Sequence, residues 1–214
     1  MPTVSILTDQ VIRDELRAYG VLATADVCSA IRTYISLLLH WNQKMSLTAI
    51  TDPLEVLRFH FGESMFAAPF LFTNANGRLA DVGSGAGFPG LPLKILIPTL
   101  QLILMESNAK KATFLAEVVR RLGTRGVEIY RGRFEHYAAT CPKFNFIAAR
   151  ALGMHEELTE WAFSAIQAGG TIILWLGEHD SVKVASEGPW VWHNPIPVPG
   201  SLSRKLLVGT ASEI

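Results

Sequence analysis

The sequence predicts an α/β domain in which a mostly parallel sheet carries helices on both faces and follows an N-terminal helical segment. Three observations support this prediction. Strand-like apolar runs alternate with helix-like segments over residues 78–175, a pattern typical of parallel strands joined by crossover helices. A glycine-rich loop joins the first of these strands to a helix. Residues 1–72 show helical rather than strand periodicity.

The N-terminal part is expected to be helical throughout. Asp9 is a candidate cap for a first helix that runs to Tyr19, and apolar residues recur at nearly helical spacing over residues 27–41. Asp52-Pro53 predicts a helix start, because the fixed φ of proline suits the first helical position. The polar, turn-rich stretch 72–77 predicts a boundary between a helical segment, residues 1–75, and a second domain, residues 76–214.

The second domain is expected to contain the sheet. The expected strands are residues 78–82, 101–105, 127–131, 144–148 and 171–175, and the expected helices are residues 89–97, 109–122 and 154–167. Gly123 is expected to end the second of these helices and Gly169-Gly170 the third. The last forty residues, which contain four prolines, predict no regular crossover helix. Residues 190–192 and 206–208 are expected to close the sheet as an antiparallel pair.

The composition limits the classes of protein that the chain can represent. Its 214 residues are 49% hydrophobic, which suits a domain of moderate size with a substantial core. Apolar runs are too short to cross a bilayer, and the N-terminus lacks the basic and apolar regions of a secretory signal. Cys28 and Cys141 are far apart and show no metal-ligand spacing. We therefore expect reduced thiols, no metal site and a cytoplasmic protein.

The charge distribution is uneven although the net charge is zero. Zero net charge argues against a uniformly basic nucleic-acid-binding protein. Residues 110–150, however, carry nine Lys and Arg and three Glu, a local excess of six positive charges. This segment could contact RNA phosphates, although Arg120, Arg121 and Arg125 are more typical of a solvated helix face.

The glycine loop, D-V-G-S-G-A-G-F-P-G at residues 81–90, predicts a ligand site. Glycine permits a sharp strand-to-helix turn and close approach of a ligand, which we expect at Gly83 and Gly85. Glu106 ends the next apolar run, where a carboxylate can accept hydrogen bonds from both ribose hydroxyls. These features predict an adenosine-containing cofactor. The loop alone leaves S-adenosylmethionine and a nicotinamide dinucleotide both open, although its G-x-G-x-G spacing differs from the dinucleotide motif G-x-G-x-x-G.

Four motifs resemble those of one bacterial family. They are W-N-Q-K-M-S-L-T-A-I at residues 41–50, the glycine loop with its extension G-F-P-G-L-P-L to residue 93, E-S-N-A-K-K at residues 106–111 followed by F-L, and residues 144–151. The chain resembles the RsmG (glucose-inhibited division protein B) family, the guanine-N7 methyltransferases of 16S ribosomal RNA, from about residue 37 to residue 177. The resemblance implies a class I methyltransferase (Rossmann-like) fold with a seven-stranded sheet, and S-adenosyl-L-methionine as methyl donor.

The resemblance also implies roles for individual residues. It places cofactor contacts at Gly83, Phe88, Phe134, Glu135 and Arg150, and it has Asp where this chain has Glu106. Phe88 and Phe134 could equally stack on a base or pack in the core. We further expect RNA contacts from the strand-end Arg133, from Lys110 at a helix start and from His60, for which a structural role is the alternative. No catalytic base is expected, because guanine N7 already carries an available lone pair. The implied partner is 16S ribosomal RNA or a small-subunit assembly intermediate, bound by a monomer.

Three departures from the family pattern remove positive charge. Phe59 stands in place of the Arg of R-H-x-x-D-S, Leu176 in place of the Lys of L-K-G, and Thr113 in place of an Arg before F-L. They keep alternatives open: a methyltransferase that acts on another RNA or a small molecule, and a module that binds cofactor or RNA without turnover. A nicotinamide-dependent oxidoreductase fits the loop spacing less well.

Overall fold

A computed structural model describes residues 7–137, 142–186 and 188–212, which fold around one central sheet. The strand order is β3-β2-β1-β4-β5-β8-β6, and a short β7 pairs with β8 beside this path. The strands are β1 Arg78–Val82, β2 Gln101–Met105, β3 Val127–Tyr130, β4 Phe144–Arg150, β5 Ile166–Gly177, β6 Trp190–Trp192, β7 Ile196–Pro197 and β8 Arg204–Ala211. Strands β1–β5 are parallel, and β8 runs antiparallel to its neighbours. The predicted α/β class is confirmed. The sheet has eight strands where the resemblance implied seven, because the two-residue β7 is added beside β8.

Eight α-helical segments accompany the strands in the described residues. They are α1 Asp9–Arg17, α2 Ala25–Asn42, α3 Pro53–Val56, α4 Glu63–Met65, α5 Gly90–Leu96, α6 Ala109–Leu122, α7 His155–Ala165 and α8 Glu178–Ala185. A π-helical turn, Leu57–Gly62, joins α3 to α4. No helix in the described part of the chain is both long and apolar enough to span a membrane.

Helices cover both faces of the sheet. Apolar residues of α1, α2, α5 and α6 pack on one face in a single cluster with strand residues, whereas α7 and α8 pack on the other. In α2 the buried residues include Ile31, Tyr34, Ile35 and Leu38, which follow the helical spacing seen in the sequence. The N-terminal helices therefore share a core with the sheet, and they form a layer beside the carboxyl ends of its strands.

The helix starts differ in one place from the prediction. The cap of α1 is Thr8, whose hydroxyl oxygen accepts a hydrogen bond from the Val11 amide at 3.2 Å, and Asp9 is the first helical residue. A carboxylate in the first turn still interacts favourably with the helix dipole, so Asp9 carries a start signal without being the cap. Asp52 caps α3 as predicted, and accepts from two backbone amides at 2.9 Å each.

Three predictions about the second half of the chain are wrong. Helix α7 ends at Ala165, and Gly169, with φ +71°, lies within β5, so Gly169-Gly170 does not end the helix. Helix α8 lies in the last forty residues, where no helix was expected; it is eight residues long and buries few side chains. Strand β6 does pair antiparallel with β8, but through residues 209–211 and not through residues 206–208.

The cysteines and the other potential metal ligands of the described residues bear on the predictions of reduced thiols and no metal site. Cys28 is a buried free thiol, and burial raises its pKa above the ordinary value. Cys141 lies outside the described residues. Within residues 7–137, 142–186 and 188–212, no group of three or more His, Cys, Asp or Glu side chains is arranged to hold a metal ion.

Candidate functional site

The glycine loop is held at the carboxyl end of the sheet by backbone hydrogen bonds. The amides of Gly83 and Ser84 donate to the Met105 carbonyl at 2.9 and 3.1 Å, which ties the loop to the end of β2. Gly83 has φ +70°, and a Cβ built there would lie 3.0 Å from Cδ1 of Leu152. The backbone at this turn therefore favours glycine for its conformation and for the space in front of it.

Glu106 joins the glycine loop to the start of α6. Its Oε2 accepts a hydrogen bond from the Gly85 amide at 2.8 Å, and its Oε1 accepts one from the Asn108 amide at 2.7 Å. Each carboxylate oxygen can accept a second hydrogen bond. Glu106 thus organises two loops through backbone donors and keeps acceptor capacity for a ligand, a role that the sequence prediction did not include.

A cleft of about 390 Å³ opens beside these residues, within the size range of small-molecule sites. We call it the cofactor cleft. It brings together six of the residues that the sequence predicted for cofactor or RNA: Gly83, Gly85, Glu106, Arg133, Phe134 and Glu135. Lys111 lines it as well, whereas the predicted Lys110 does not and is exposed on α6. Strand-end residues that sequence reasoning missed complete the lining: Met105, Ser107, Gly132, Ala151, Leu152 and Met154.

The residues of the cofactor cleft fit S-adenosylmethionine. Glu106 would hold the ribose, and the open backbone at Gly83 and Gly85 would allow close approach. Apolar side chains of the lining, such as Leu152 and Met154, suit contact with an adenine ring. When bound, this group supplies the activated methyl. The cleft thus gathers five of the residues predicted to bind the cofactor, and their contacts with it stay a prediction: Gly83, Gly85, Glu106, Phe134 and Glu135.

Phe88 lies on the far side of the loop and is not part of the cleft lining. Its ring is buried, stacks on Tyr34 with centroids 5.4 Å apart, and stacks on His60 at 4.7 Å. The Tyr34 hydroxyl donates to the Ala86 carbonyl, so α2 supports the loop from behind. The structure therefore gives Phe88 the core role that sequence reasoning kept as an alternative, and its cofactor contact stays a prediction.

Arg150 and His60 belong to one polar network between the N-terminal helices and the end of β4. Arg150 Nη2 donates to the Phe59 carbonyl at 2.7 Å and lies 3.2 Å from Oε2 of Glu63. His60 Nδ1 lies 3.4 Å from Arg150, and its Nε2 lies 2.7 Å from the Thr48 hydroxyl. Burial and the Arg150 charge lower the pKa of His60 to about 4, so the ring is neutral near pH 7. The predicted ligand contacts of these two residues remain untested.

Glu63 is the centre of this network and was not among the predicted site residues. Its side chain is 1% exposed, and it forms ion pairs with both Arg150 and Arg204. Burial lowers the pKa of Arg150 to about 10, an effect that Glu63 partly opposes. The available signal was that Glu63 stands at the acidic position of the R-H-x-x-D-S motif.

Asp81 begins the glycine motif and supports it from inside the sheet. Its Oδ2 accepts a hydrogen bond from the Gly90 amide at 2.9 Å, where α5 begins. Burial raises the pKa of Asp81 to about 7. The carboxyl group therefore titrates close to neutral pH.

The basic segment 110–150 is partly neutralised by internal pairs. Arg120 and Arg121 both pair with Glu117, and Arg133 pairs with Glu135 at 2.8 Å at the rim of the cofactor cleft. The solvated-face alternative therefore holds for Arg120 and Arg121. Arg133 remains placed for contact with a ligand at the cleft rim.

The strand order and the position of the cleft define the class I methyltransferase fold. Two solved structures share the fold: an S-adenosylmethionine-dependent O-methyltransferase from Thermotoga maritima (TM-score 0.60, 15% identity, covering 83% of this chain and 72% of that one), and precorrin-6y C5,15-methyltransferase from Geobacter metallireducens (TM-score 0.57, 13% identity, covering 70% and 87%).

Sequence comparison places the chain in a particular family. The family model described as GidB, rRNA small subunit methyltransferase G, matches residues 27–188. Proteins named ribosomal RNA small subunit methyltransferase G are similar to it: 39% identical in Exiguobacterium sp. (75% of this chain, 68% of the relative), 37% in Sorangium cellulosum (83% and 75%) and 36% in Xylella fastidiosa (82% and 82%). The chain belongs to the GidB (rRNA small subunit methyltransferase G) family.

Proposed function

We propose that this protein transfers a methyl group from S-adenosylmethionine to N7 of a guanine in 16S ribosomal RNA. The observation that carries the proposal is the family match over residues 27–188 on a chain whose cofactor cleft retains Gly83, Gly85 and Glu106 in one lining. Relatives named ribosomal RNA small subunit methyltransferase G are 36–39% identical to the chain.

The reaction requires alignment more than acid–base chemistry. Guanine N7 carries an available lone pair, so no base has to remove a proton from the nucleophile. The residues of the chain therefore need to hold N7 in line with the methyl group, a positioning effect that is worth several kcal/mol. Because attack places positive charge on the purine, a nearby carboxylate or carbonyl oxygen favours the transition state.

The substrate has to expose the Hoogsteen edge of the guanine. The major groove of an A-form helix is too deep and narrow for side chains to read, so the target base lies in a loop or is turned out of its stack. We propose 16S ribosomal RNA or a small-subunit assembly intermediate as partner, a monomeric enzyme, and a cytoplasmic location. Lys110 and Arg133, both exposed, are proposed to contact the RNA near the cofactor cleft.

Individual cofactor roles complete the proposal. Gly83, Gly85, Glu106, Phe134 and Glu135 are proposed to bind S-adenosylmethionine from the cleft lining. We propose that the chain has two parts with different roles, a helical segment, residues 1–75, and a methyltransferase domain, residues 76–214. The first part supports the glycine loop, and the second binds the cofactor.

The test is methyl transfer in vitro from labelled S-adenosylmethionine. The acceptors are 16S RNA lacking the modification, offered naked and in 30S subunits, with 23S RNA and transfer RNA as controls. We expect N7-methylguanine to form in 16S RNA, either naked or in the 30S subunit, and not in 23S RNA or transfer RNA. Transfer to a control RNA alone would favour the second candidate, a methyltransferase for another RNA, which the uncharged residues Phe59, Thr113 and Leu176 support. Calorimetry should show S-adenosylhomocysteine binding, and binding of NAD alone would refute the cofactor assignment.

A further inference from the structure

A second cleft opens beside the cofactor cleft, at the carboxyl ends of β4 and β5. It measures about 390 Å³ and is lined by Arg150–Gly153, His155, Trp175–Gly177, Asp180 and Arg204. Ala151 and Leu152 line both clefts and therefore form the wall between them. Ala151 adopts φ +56°, an unusual conformation for a residue other than glycine and one that recurs at ligand sites. A group in the second cleft would thus lie next to the methyl donor.

The charges of this second cleft favour a ligand with an anionic part. Two arginines line it, and both contact the single carboxylate of Glu63. The side chain of Arg150 is only 11% exposed, whereas that of Arg204 is 39% exposed. Glu63 balances one guanidinium, and the Asp180 carboxylate in the same cleft offsets the other, so the cleft presents one exposed cation, Arg204, and one exposed carboxylate, Asp180. Nη1 of Arg150 is buried and has no hydrogen-bond partner among the described residues, which leaves a further donor unused.

The fold holds Arg204 firmly at this place. Arg204 pairs with Gly177 across β5 and β8, and its backbone amide donates to the Ser201 hydroxyl at 3.1 Å. The next pair in the register is Leu176 with Lys205. Strand β5 therefore lines the cleft with uncharged residues, which include Leu176 and Gly177. The exposed cation of the second cleft, Arg204, is therefore supplied by β8 and not by β5. A side chain on a sheet with an ion-pair partner is well suited to binding a ligand in a fixed position.

We infer that the second cleft receives the target nucleotide of the RNA, and that Arg204 binds its phosphate; this inference rests on the function proposed above. A guanidinium against the purine would oppose the positive charge that N7 methylation creates, whereas a guanidinium on the phosphate fixes the position of the nucleotide. Asp180 lies in the same cleft, and its side chain is 51% exposed. Its carboxylate can accept hydrogen bonds from the exocyclic amino group of guanine.

The test combines methyl-transfer kinetics with RNA binding at several salt concentrations. In Arg204→Gln we expect the KM for 16S RNA to rise about 10-fold, and the slope of log affinity against log salt to become shallower by about one. The affinity for S-adenosylhomocysteine should not change, because Arg204 does not line the cofactor cleft. Arg17→Gln is the matched control: Arg17 is 69% exposed on α1, pairs with Asp14, and should behave as wild type.

Two further variants separate RNA binding from a structural role. Arg204→Lys keeps a cation at the same register position and should retain part of the RNA affinity and the salt slope that Arg204→Gln loses. Asp180→Asn leaves the Glu63 network intact and should lower transfer about 10-fold. Unchanged KM and salt slope in Arg204→Gln, with an active wild type, would overturn the inference alone. Equal loss in Arg204→Gln and Arg204→Lys, accompanied by a lower melting temperature and normal transfer by Asp180→Asn, would also overturn it. An inactive wild type refutes the proposed function itself.

Discussion

Replacing Glu106 by glutamine isolates the contribution of one carboxylate to the cofactor cleft. Glutamine preserves the size of the side chain but exchanges one acceptor oxygen for an amide donor. Glu106 uses both oxygens, accepting from the Gly85 amide at 2.8 Å and the Asn108 amide at 2.7 Å. In Glu106→Gln, one of these backbone amides therefore faces a donor, and the ribose loses a charged acceptor.

The magnitude follows from the hydrogen bonds that are lost. A hydrogen bond to a charged group contributes about 1.5–3 kcal/mol, and a water molecule in the cleft can partly replace the lost Glu106 oxygen. We therefore expect the affinity for S-adenosylhomocysteine to fall by about 1–3 kcal/mol, which corresponds to a rise in Kd of about 5- to 150-fold. Glu106→Asp retains the charge with a shorter reach, so its loss should be smaller.

The assay is isothermal titration calorimetry with S-adenosylhomocysteine, with thermal unfolding as a check on the fold. Glu128→Gln is the control, because Glu128 is an exposed glutamate on the neighbouring strand β3. Equal Kd values for wild type and Glu106→Gln, in a folded protein, would show that the ribose contact is made elsewhere and would refute the reasoning.

Three further substitutions test the loop and its support. Gly83→Val should abolish cofactor binding in a protein that still folds, because φ is +70° and a Cβ would meet Leu152 at 3.0 Å; unchanged calorimetric affinity would contradict this. Gly87→Ala should lower the free energy of unfolding in urea by about 1–3 kcal/mol, since a Cβ there would lie 2.2 Å from the Tyr34 hydroxyl oxygen; an unchanged midpoint would argue against the close contact. Burial raises the pKa of Asp81 to about 7 in the folded state, so its contribution to stability is complete below pH 3.8 and is lost as pH rises through 7. The free energy of unfolding of Asp81→Asn, relative to that of wild type, should therefore rise by up to about 4 kcal/mol between pH 4 and pH 8. If urea titrations show a difference between the two proteins that does not change with pH, the assignment is refuted.

Local signals in the sequence predicted most of the fold. Strands β1 and β2 and helix α6 have the predicted bounds. For α6 the reason is visible in the chain: Asn108 accepts from two amides at its start, and Gly123 adopts φ +62° at its end. Helix α8 escaped prediction because it is eight residues long and buries only Ser181 and Val184, too few for a periodic pattern.

The candidate site contains residues that local sequence signals could group and residues that only tertiary packing brings together. Glu106 directly follows β2, and Phe134 and Glu135 lie in the segment just after β3. Parallel strands bring the residues at their carboxyl ends to one edge of a sheet, so sequence position was sufficient to group them. The network around Glu63 has a different origin. Glu63 and Arg204 are 141 residues apart, and only the packing of the N-terminal helices against the sheet brings them together. No spacing rule predicts such a contact, and the sequence did not predict that Arg150 and His60 would take part in it.

Mass mapping of 16S RNA from cells lacking this gene tests the central claim most directly. The RNA is digested and examined for N7-methylguanine in the deletion strain, after return of the wild-type gene, and after return of the Gly83→Val variant. The account predicts that one N7-methylguanine is missing in the deletion strain, reappears with the wild-type gene and stays missing with the variant. An unchanged complement of N7-methylguanine in the deletion strain would contradict it.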